Sequence, residues 1–268
     1  MRSGILFIFI FVALSCANER TKSKSSVNLP ELATKDTVNY SYQTKREISS
    51  YFVGDSTHID TAYYQITYPI FADKEIDKAL QEAIFIDREN NADDAAISFL
   101  NGYNEFVEES STTAIHSAWY KKLQSQIILN TPLFLTLQTS IQEYTGGAHG
   151  NHVTIFTVFD TDRLKKLSLW EIIVTGGLKV LTKKAEAKFR KQESLSDTSS
   201  LIKDFFFEDG IFALNDNFGL TKDRLIIYYN EYEIKPYSEG ITVIELPYDD
   251  ISDILNERGK RYIDNIQQ

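Results

Sequence analysis

His149 and His152 stand three apart, with Gly150 and Asn151 between them. In a tight loop both imidazoles could converge on zinc, with a third ligand from His116, His58 or a carboxylate. Along an extended strand they would point to opposite faces. The ligand requirement weighs against a metal site, and the expected role of His149 is a backbone hydrogen bond that holds a structural loop. Asp160 and Asp162 have calcium-like spacing but lack the glycine and distal glutamate of a calcium loop, so a solvated turn is expected there. Glu231, Glu233 and Glu245 could still be brought together around a glycosidic bond, because such acids need not be close in sequence. Glu233, between Tyr232 and Ile234, could be a buried acid holding a proton, but is read first as an acceptor that fixes the turn before Pro236. No Gly-x-Ser-x-Gly elbow, His-Glu-x-x-His helix or phosphate-cradling glycine loop is present. No catalytic residue, metal ligand or cofactor is assigned.

Binding chemistry is better represented. Tyr228, Tyr229, Tyr232, Tyr237 and Tyr248 form the densest aromatic cluster. Successive strand positions face opposite ways, so Tyr228 and Tyr229 cannot both be core. Exposed tyrosines stack on sugar rings or anchor a protein partner, and the plain alternative is that they pack between sheet and helix. Upstream, Tyr144-Thr145-Gly146-Gly147-Ala148-His149-Gly150-Asn151-His152 holds glycines that permit positive φ and close backbone approach. The candidate ligand-binding residues are therefore Tyr144, Gly146, Gly147, His149, Asn151, Tyr229, Tyr232 and Tyr237.

The remaining chemistry lies at the start of the chain. An apolar run over residues 5–14, behind Arg2, leads to Ala13-Leu14-Ser15-Cys16 and then to a polar stretch. This pattern resembles a bacterial lipoprotein signal peptide, whose cysteine thiol takes up lipid and becomes the new N-terminus. The run is half the length of a membrane span. Residues 1–16 are read as signal and lipobox, and residues 17–45 as a flexible tether, with folding beginning near Val38 to Ile48. Ala17 after the cysteine favours the outer membrane, with the protein facing the periplasm. Cys16 is the only cysteine, so its acylation leaves no thiol for a disulfide or nucleophile. A net charge of -10 argues against nucleic acid and against adhesion to anionic lipid heads, leaving the acyl chains to hold the membrane.

Elements that could position these residues follow from periodicity. Ala62, Tyr64, Ile66, Tyr68 and Ile70 alternate as one strand face. Ile76, Leu80 and Ile84 then form a helical stripe started by Asp73, and a second stripe runs from Ala96 to Val107 after Asp93-Asp94. Leu133, Leu135, Leu137 and Ile141 oppose Thr136, Gln138, Ser140 and Gln142, which predicts an antiparallel sheet with one side wet. A helix carrying Leu178, Leu181, Ala185 and Phe189 follows, then short strands over residues 218–220, 225–229 and 241–246. A final helix marked by Ile251, Ile254 and Leu255 is expected to end near Gly259. The fold class is α+β, with mixed, mainly antiparallel sheets and packed helices in two adjoining modules.

The glycine-rich His loop is followed by Asn217-Phe218-Gly219-Leu220-Thr221, Leu225-Ile226-Ile227-Tyr228-Tyr229-Asn230, Tyr232-Glu233-Ile234, Pro236-Tyr237, Gly240 and Ile244-Glu245-Leu246-Pro247-Tyr248. This series resembles a bacterial envelope family of undefined function. Its modules occur in the extracellular part of RsiV-type anti-sigma factors, which bind lysozyme, and in the N-terminal region of PdaC-type peptidoglycan deacetylases. The resemblance divides the chain into a PdaC-like module at 46–163 and an RsiV-like module at 164–268. Only residues 1–4 precede the apolar run, so sigma-factor regulation is not expected. Deacetylation, which belongs to a separate catalytic domain of the PdaC-type enzymes, is not expected either. What the resemblance implies is a noncatalytic, lipid-anchored envelope protein that recognises a lysozyme-like hydrolase or peptidoglycan. A glycan-modifying enzyme or a structural envelope lipoprotein is the alternative.

Overall fold

Alternation along residues 59–71 sets the first sheet. In the computed structural model, which describes residues 37–54, 59–110 and 117–266, strand β2 (Ile59–Phe71) buries Ala62, Tyr64, Ile66 and Tyr68 and turns Tyr63, Gln65 and Thr67 the other way. Cys16, its apolar run, His58 and His116 lie outside the described residues. Strand β1 (Tyr40–Gly54) pairs antiparallel with β2. It begins inside the stretch read as tether, which therefore stops short of residue 45.

Two helices carry the chain across to a parallel neighbour. Asp73 caps α1 (Lys74–Ile84) by accepting hydrogen bonds from the Glu75 and Ile76 amides, and Ile76, Leu80 and Ile84 form its buried stripe. Helix α2 (Ala92–Glu109) is capped by Asn91, earlier than expected, which places Asp93 and Asp94 in its first turn where the helix dipole favours acids. The chain returns as β3 (Tyr120–Asn130), parallel to β2, and continues antiparallel through β4 (Phe134–Tyr144), β5 (Asn151–Asp160) and the short β6 (Lys165–Lys166). The order of this six-stranded sheet is β1-β2-β3-β4-β5-β6. Both helices cover one face, burying Leu135, Leu137 and Ile141 of β4 with Tyr64 and Ile66 of β2.

After α3 (Gly177–Gln192), the strands β7 (Phe218–Leu220), β8 (Arg224–Tyr229) and β9 (Thr242–Pro247) form an antiparallel sheet of their own. This sheet and α3 cover one end of the other face of the first sheet. Phe134 and Val158 share a core with Leu181, Phe189, Leu225 and Ile244. The wet side expected of β4 is accordingly wet over only part of its length. Thr136 is buried and donates to the Leu220 carbonyl at 2.8 Å, while Gln138 to Tyr144 stay outside the shared core. Gly219 lies so close to Phe156 that a Cβ there would come within 2.8 Å of the ring. Leu178, expected on the buried face of α3, is 38% exposed. The C-terminal helix also departs from expectation. A short α4 (Tyr248–Ile251) stops, and α5 (Glu257–Ile266) contains Gly259 instead of ending there. A Cβ on Gly259 would sit 2.3 Å from the Ile172 carbonyl oxygen, so the helix can approach that backbone only with glycine.

The docking of the two sheets is polar at the edge of β5. Past its two pairs with β6, that edge has no strand beside it among the described residues. The Asn217 side chain accepts from the Phe156 amide at 2.8 Å and donates to the Thr154 carbonyl at 2.7 Å. Asn230 accepts from the Thr154 amide at 2.6 Å and donates to the same carbonyl at 3.1 Å. Two carboxamides from the second sheet thus stand in for a missing strand, satisfying groups whose burial unpaired would be costly. Replacing Asn217→Ala and Asn230→Ala together is expected to destabilise the fold by about 2–4 kcal/mol, from lost hydrogen bonds and orphaned backbone groups. Urea unfolding of the double variant measures this, and a midpoint equal to that of the parent would refute the account.

A second polar cluster corrects the expectation of a solvated turn at Asp160. That residue is only 4% exposed, and its carboxylate accepts from the Asp162 and Arg163 amides at 3.0 and 2.9 Å, from Arg163 Nε at 2.7 Å and from the Tyr262 hydroxyl. Arg163 also reaches Glu171 at 2.7 Å, and Lys165 and Arg258 lie 3.0 and 3.4 Å from the same Glu171 oxygen. Burial alone would push the Glu171 carboxyl up. Hydrogen bonds from Arg163, the Ser168 amide and Lys165 outweigh it and hold the carboxyl down at about 2. Asp160 is lowered for the same reason, burial being outweighed by Tyr262 and Arg163. A depressed carboxylate stabilises the folded state above its unfolded value near 4.5 and loses that contribution as pH falls toward about 2. Stability should therefore decline across that acid window. Glu171→Gln should flatten the decline while costing about 3 kcal/mol at neutral pH, because three cations lose their shared partner. Thermal melts from pH 2 to neutrality check both expectations.

Candidate functional site

The β4–β5 loop places His149 beside the β8–β9 loop. Gly146 and Gly147 both have φ of +101°, a conformation that favours glycine, and they let the chain reverse between Tyr144 and Asn151. The Tyr144 hydroxyl donates to the Gly147 carbonyl at 3.1 Å and fastens the loop to its own strand. On the other side, Glu233 accepts from the Asn230 amide at 2.9 Å and from the Asn215 carboxamide at 2.5 Å, closing the turn in which Tyr232 takes φ of +67°. Glu233 is an exposed turn acceptor, as expected from its position before Pro236, and not a buried proton holder.

The two loops meet through rings. His149 stacks on Tyr237 with centroids 4.3 Å apart and planes 12° from parallel, and Tyr232 lies 5.5 Å from Tyr237. His149 Nδ1 is 2.9 Å from the Gly150 carbonyl, and Nε2 is 3.3 Å from the Tyr232 hydroxyl. The Gly150 carbonyl can only accept, so Nδ1 donates to it, while Nε2 faces the Tyr232 hydroxyl. Both ring nitrogens are thereby engaged, which opposes metal ligation by this histidine. Among the described residues no three of His, Cys, Asp and Glu are gathered to hold a metal ion.

The remaining candidates divide. Asn151 is exposed at the start of β5, beside the loop. Tyr229 does not join the cluster: it is 3% exposed in the shared core, its hydroxyl donates to the Ala213 carbonyl, and burial pushes the phenol up. Tyr228, its neighbour, packs on Phe156 and is half-buried, so the alternation holds with Tyr229 inside.

A surface not anticipated from sequence adjoins this cluster. Cross-strand register aligns Tyr63, Tyr120 and Tyr144 in one row over β2, β3 and β4. Their rings stack at 5.8 and 6.0 Å. The next row is Arg46, Gln65, Lys122 and Gln142. Arg46 lies over the Tyr63 ring at 3.9 Å, and Lys122 lies within 5.6 Å of the Tyr63 and Tyr120 rings. The signal was present in the residues between the buried ones, since Tyr63, Gln65 and Thr67 alternate with the core face of β2. What was missing was the partner strand.

A six-stranded sheet covered by helices on one side and partly by a second sheet on the other, with rings clustered at the junction, defines an α+β module. Residues 171–249 match the family model described as protein of unknown function DUF3298, and residues 56–152 match that described as deacetylase PdaC. The first match lies over α3 and β7–β9, the second over β2, α1, α2, β3 and β4 and the first two residues of β5. No curated protein matches the chain. A solved DUF3298 family structure from Bacteroides fragilis is similar to it with a TM-score of 0.68 and 21% identity, covering 88% of this chain and 99% of that one. Another, from Pseudomonas aeruginosa, has a TM-score of 0.62 and 20% identity, covering 84% and 97%. These likenesses show the fold, and with the family models they uphold the resemblance read from the tyrosine, glycine and proline series. The family matches indicate an envelope-associated protein of unknown function, and the PdaC match suggests an extracellular or envelope location. No helix among the described residues is long and apolar enough to cross a membrane.

Tyr144→Phe should release the Gly147 carbonyl and loosen the loop while leaving the Tyr120 stack in place. Faster amide hydrogen exchange across residues 145–150, with an unfolding free energy lowered by about 1 kcal/mol or less, is the expected result.

Proposed function

We propose that this chain is a noncatalytic binding protein, lipid-anchored through Cys16 at the outer membrane and facing the periplasm, that recognises a lysozyme-like hydrolase or peptidoglycan. The observation carrying this reading is the exposed ring cluster of His149, Tyr232 and Tyr237. Tyr232 is 53% exposed, yet stacking and the His149 contact restrain it, so it offers contact area at small entropic cost. Among the described residues no metal-ligating set accompanies these rings. The resemblance to RsiV-type and PdaC-type proteins supplies the two ligand classes, and the signal pattern at residues 1–16 supplies the anchor.

Retention of the chain on immobilised lysozyme and on purified sacculi tests the reading. Binding to one of them is expected, and Tyr232→Ala with Tyr237→Ala should weaken it by about thirtyfold, the effect of losing central aromatic anchors. Retention on neither support would overturn it, as would muropeptide profiles altered by incubation with the protein.

A further inference from the structure

The uncovered face of the first sheet carries positive charge on a chain whose net charge is -10. Along the rows that face away from the helices stand Arg46 and Lys122, and no Asp or Glu shares those rows on β1 to β4. Charged neighbours on the opposite parity behave differently. Lys121 is paired with Asp87 and with Glu143, whereas among the described residues neither Arg46 nor Lys122 is paired with a carboxylate. Arg46 donates to the Gln65 side-chain oxygen at 2.9 Å, which leaves the Gln65 amide nitrogen free to donate outward.

We infer that this face is a binding site for a carboxylate-bearing glycan strand, distinct from the His149 ring cluster. Two unpaired cations supply charge for the carboxylates, and the amides of Gln65 and Gln142 supply donors and acceptors for hydroxyls. A hollow of about 220 Å³ lies between Gln65, Lys122 and Gln142, lined also by Thr67, Leu123, Gln124 and Ser140. Tyr63, Tyr120 and Tyr144 stack on one another at interplanar angles of 16° and 24°. The ring faces of Tyr63 and Tyr120 are taken up by Arg46, by each other and by Tyr144, which disfavours nucleic acid, since single strands bind by stacking bases on exposed ring faces. Leu123 is the one apolar residue lining the depression, and the mixture of amides and aliphatic stems there suits the hydroxyls and C–H faces of a polyol.

The test measures binding of the full chain to oligogalacturonate, to its uncharged methyl ester and to an oligothymidylate, by biolayer interferometry. The acid is expected to bind, the ester about tenfold more weakly, and the acid's affinity should fall as salt rises. Arg46→Gln with Lys122→Gln should lower affinity for the acid by about tenfold, and Arg46→Lys with Lys122→Arg should keep it within about threefold. Both positions are exposed, so folding is preserved in these variants, and circular dichroism verifies it. Absence of binding to the acid, equal binding of the ester, an unchanged affinity in the double Gln variant, or tighter binding of the oligothymidylate would each overturn the inference.

Discussion

The edge of β5 is the constraint on which the arrangement turns. A strand that ends its pairing after two residues of β6 presents amides and carbonyls that must find partners or face water. Asn217 and Asn230 supply those partners from the second sheet, one from just before β7 and one from just after β8. A carboxamide carries a donor and an acceptor in the geometry of a peptide group, so each can stand where a neighbouring strand would. Hydrophobic burial around Phe134, Val158, Phe189 and Ile244 gives the docking its area, and the two asparagines give it a register.

That register has consequences for the surface. Asn230 begins the turn that Glu233 closes, and the same turn holds Tyr232 at positive φ beside His149. The ring cluster is therefore built on the same residues that cap the sheet edge. Because the second sheet covers only the Phe134 and Val158 end of its side of the first sheet, the Tyr144 end stays open. Tyr144 joins the two surfaces, its ring stacked on Tyr120 and its hydroxyl fastening the glycine loop. A single docking geometry thus produces a covered half that stabilises and an open half that leaves its tyrosines and polar side chains uncovered.

Local patterns were legible where one chain segment determines its own environment. The alternation in β2, the stripe of α1 and the Asp73 cap all follow from side-chain period and from hydrogen bonds within a few residues. The family series around residues 217–248 was equally readable, because Gly219, Pro236 and Gly240 punctuate short strands. Elsewhere a competing contact won. Gly259 looked like a helix stop, but it lies within α5 because the Ile172 carbonyl leaves no room for a Cβ. Thr136 looked solvated, but Leu220 covers it. Asp160 looked like an exposed turn, but Arg163 and Tyr262 enclose it.

Sequence by itself determined the α+β class, most element positions and the residues on which a ligand would be sought. It also determined that Tyr228 and Tyr229 could not both be buried, since adjacent strand positions face opposite ways. The tertiary structure alone decided which of the two went inward, and it alone brought Tyr63 opposite Tyr120 and Tyr120 opposite Tyr144. Periodicity tells which side chains share a face, but the partner of each strand and the cover over each face depend on contacts between segments far apart in the chain. Those contacts are selected by packing and by the pairing of buried backbone groups, neither of which leaves a local pattern.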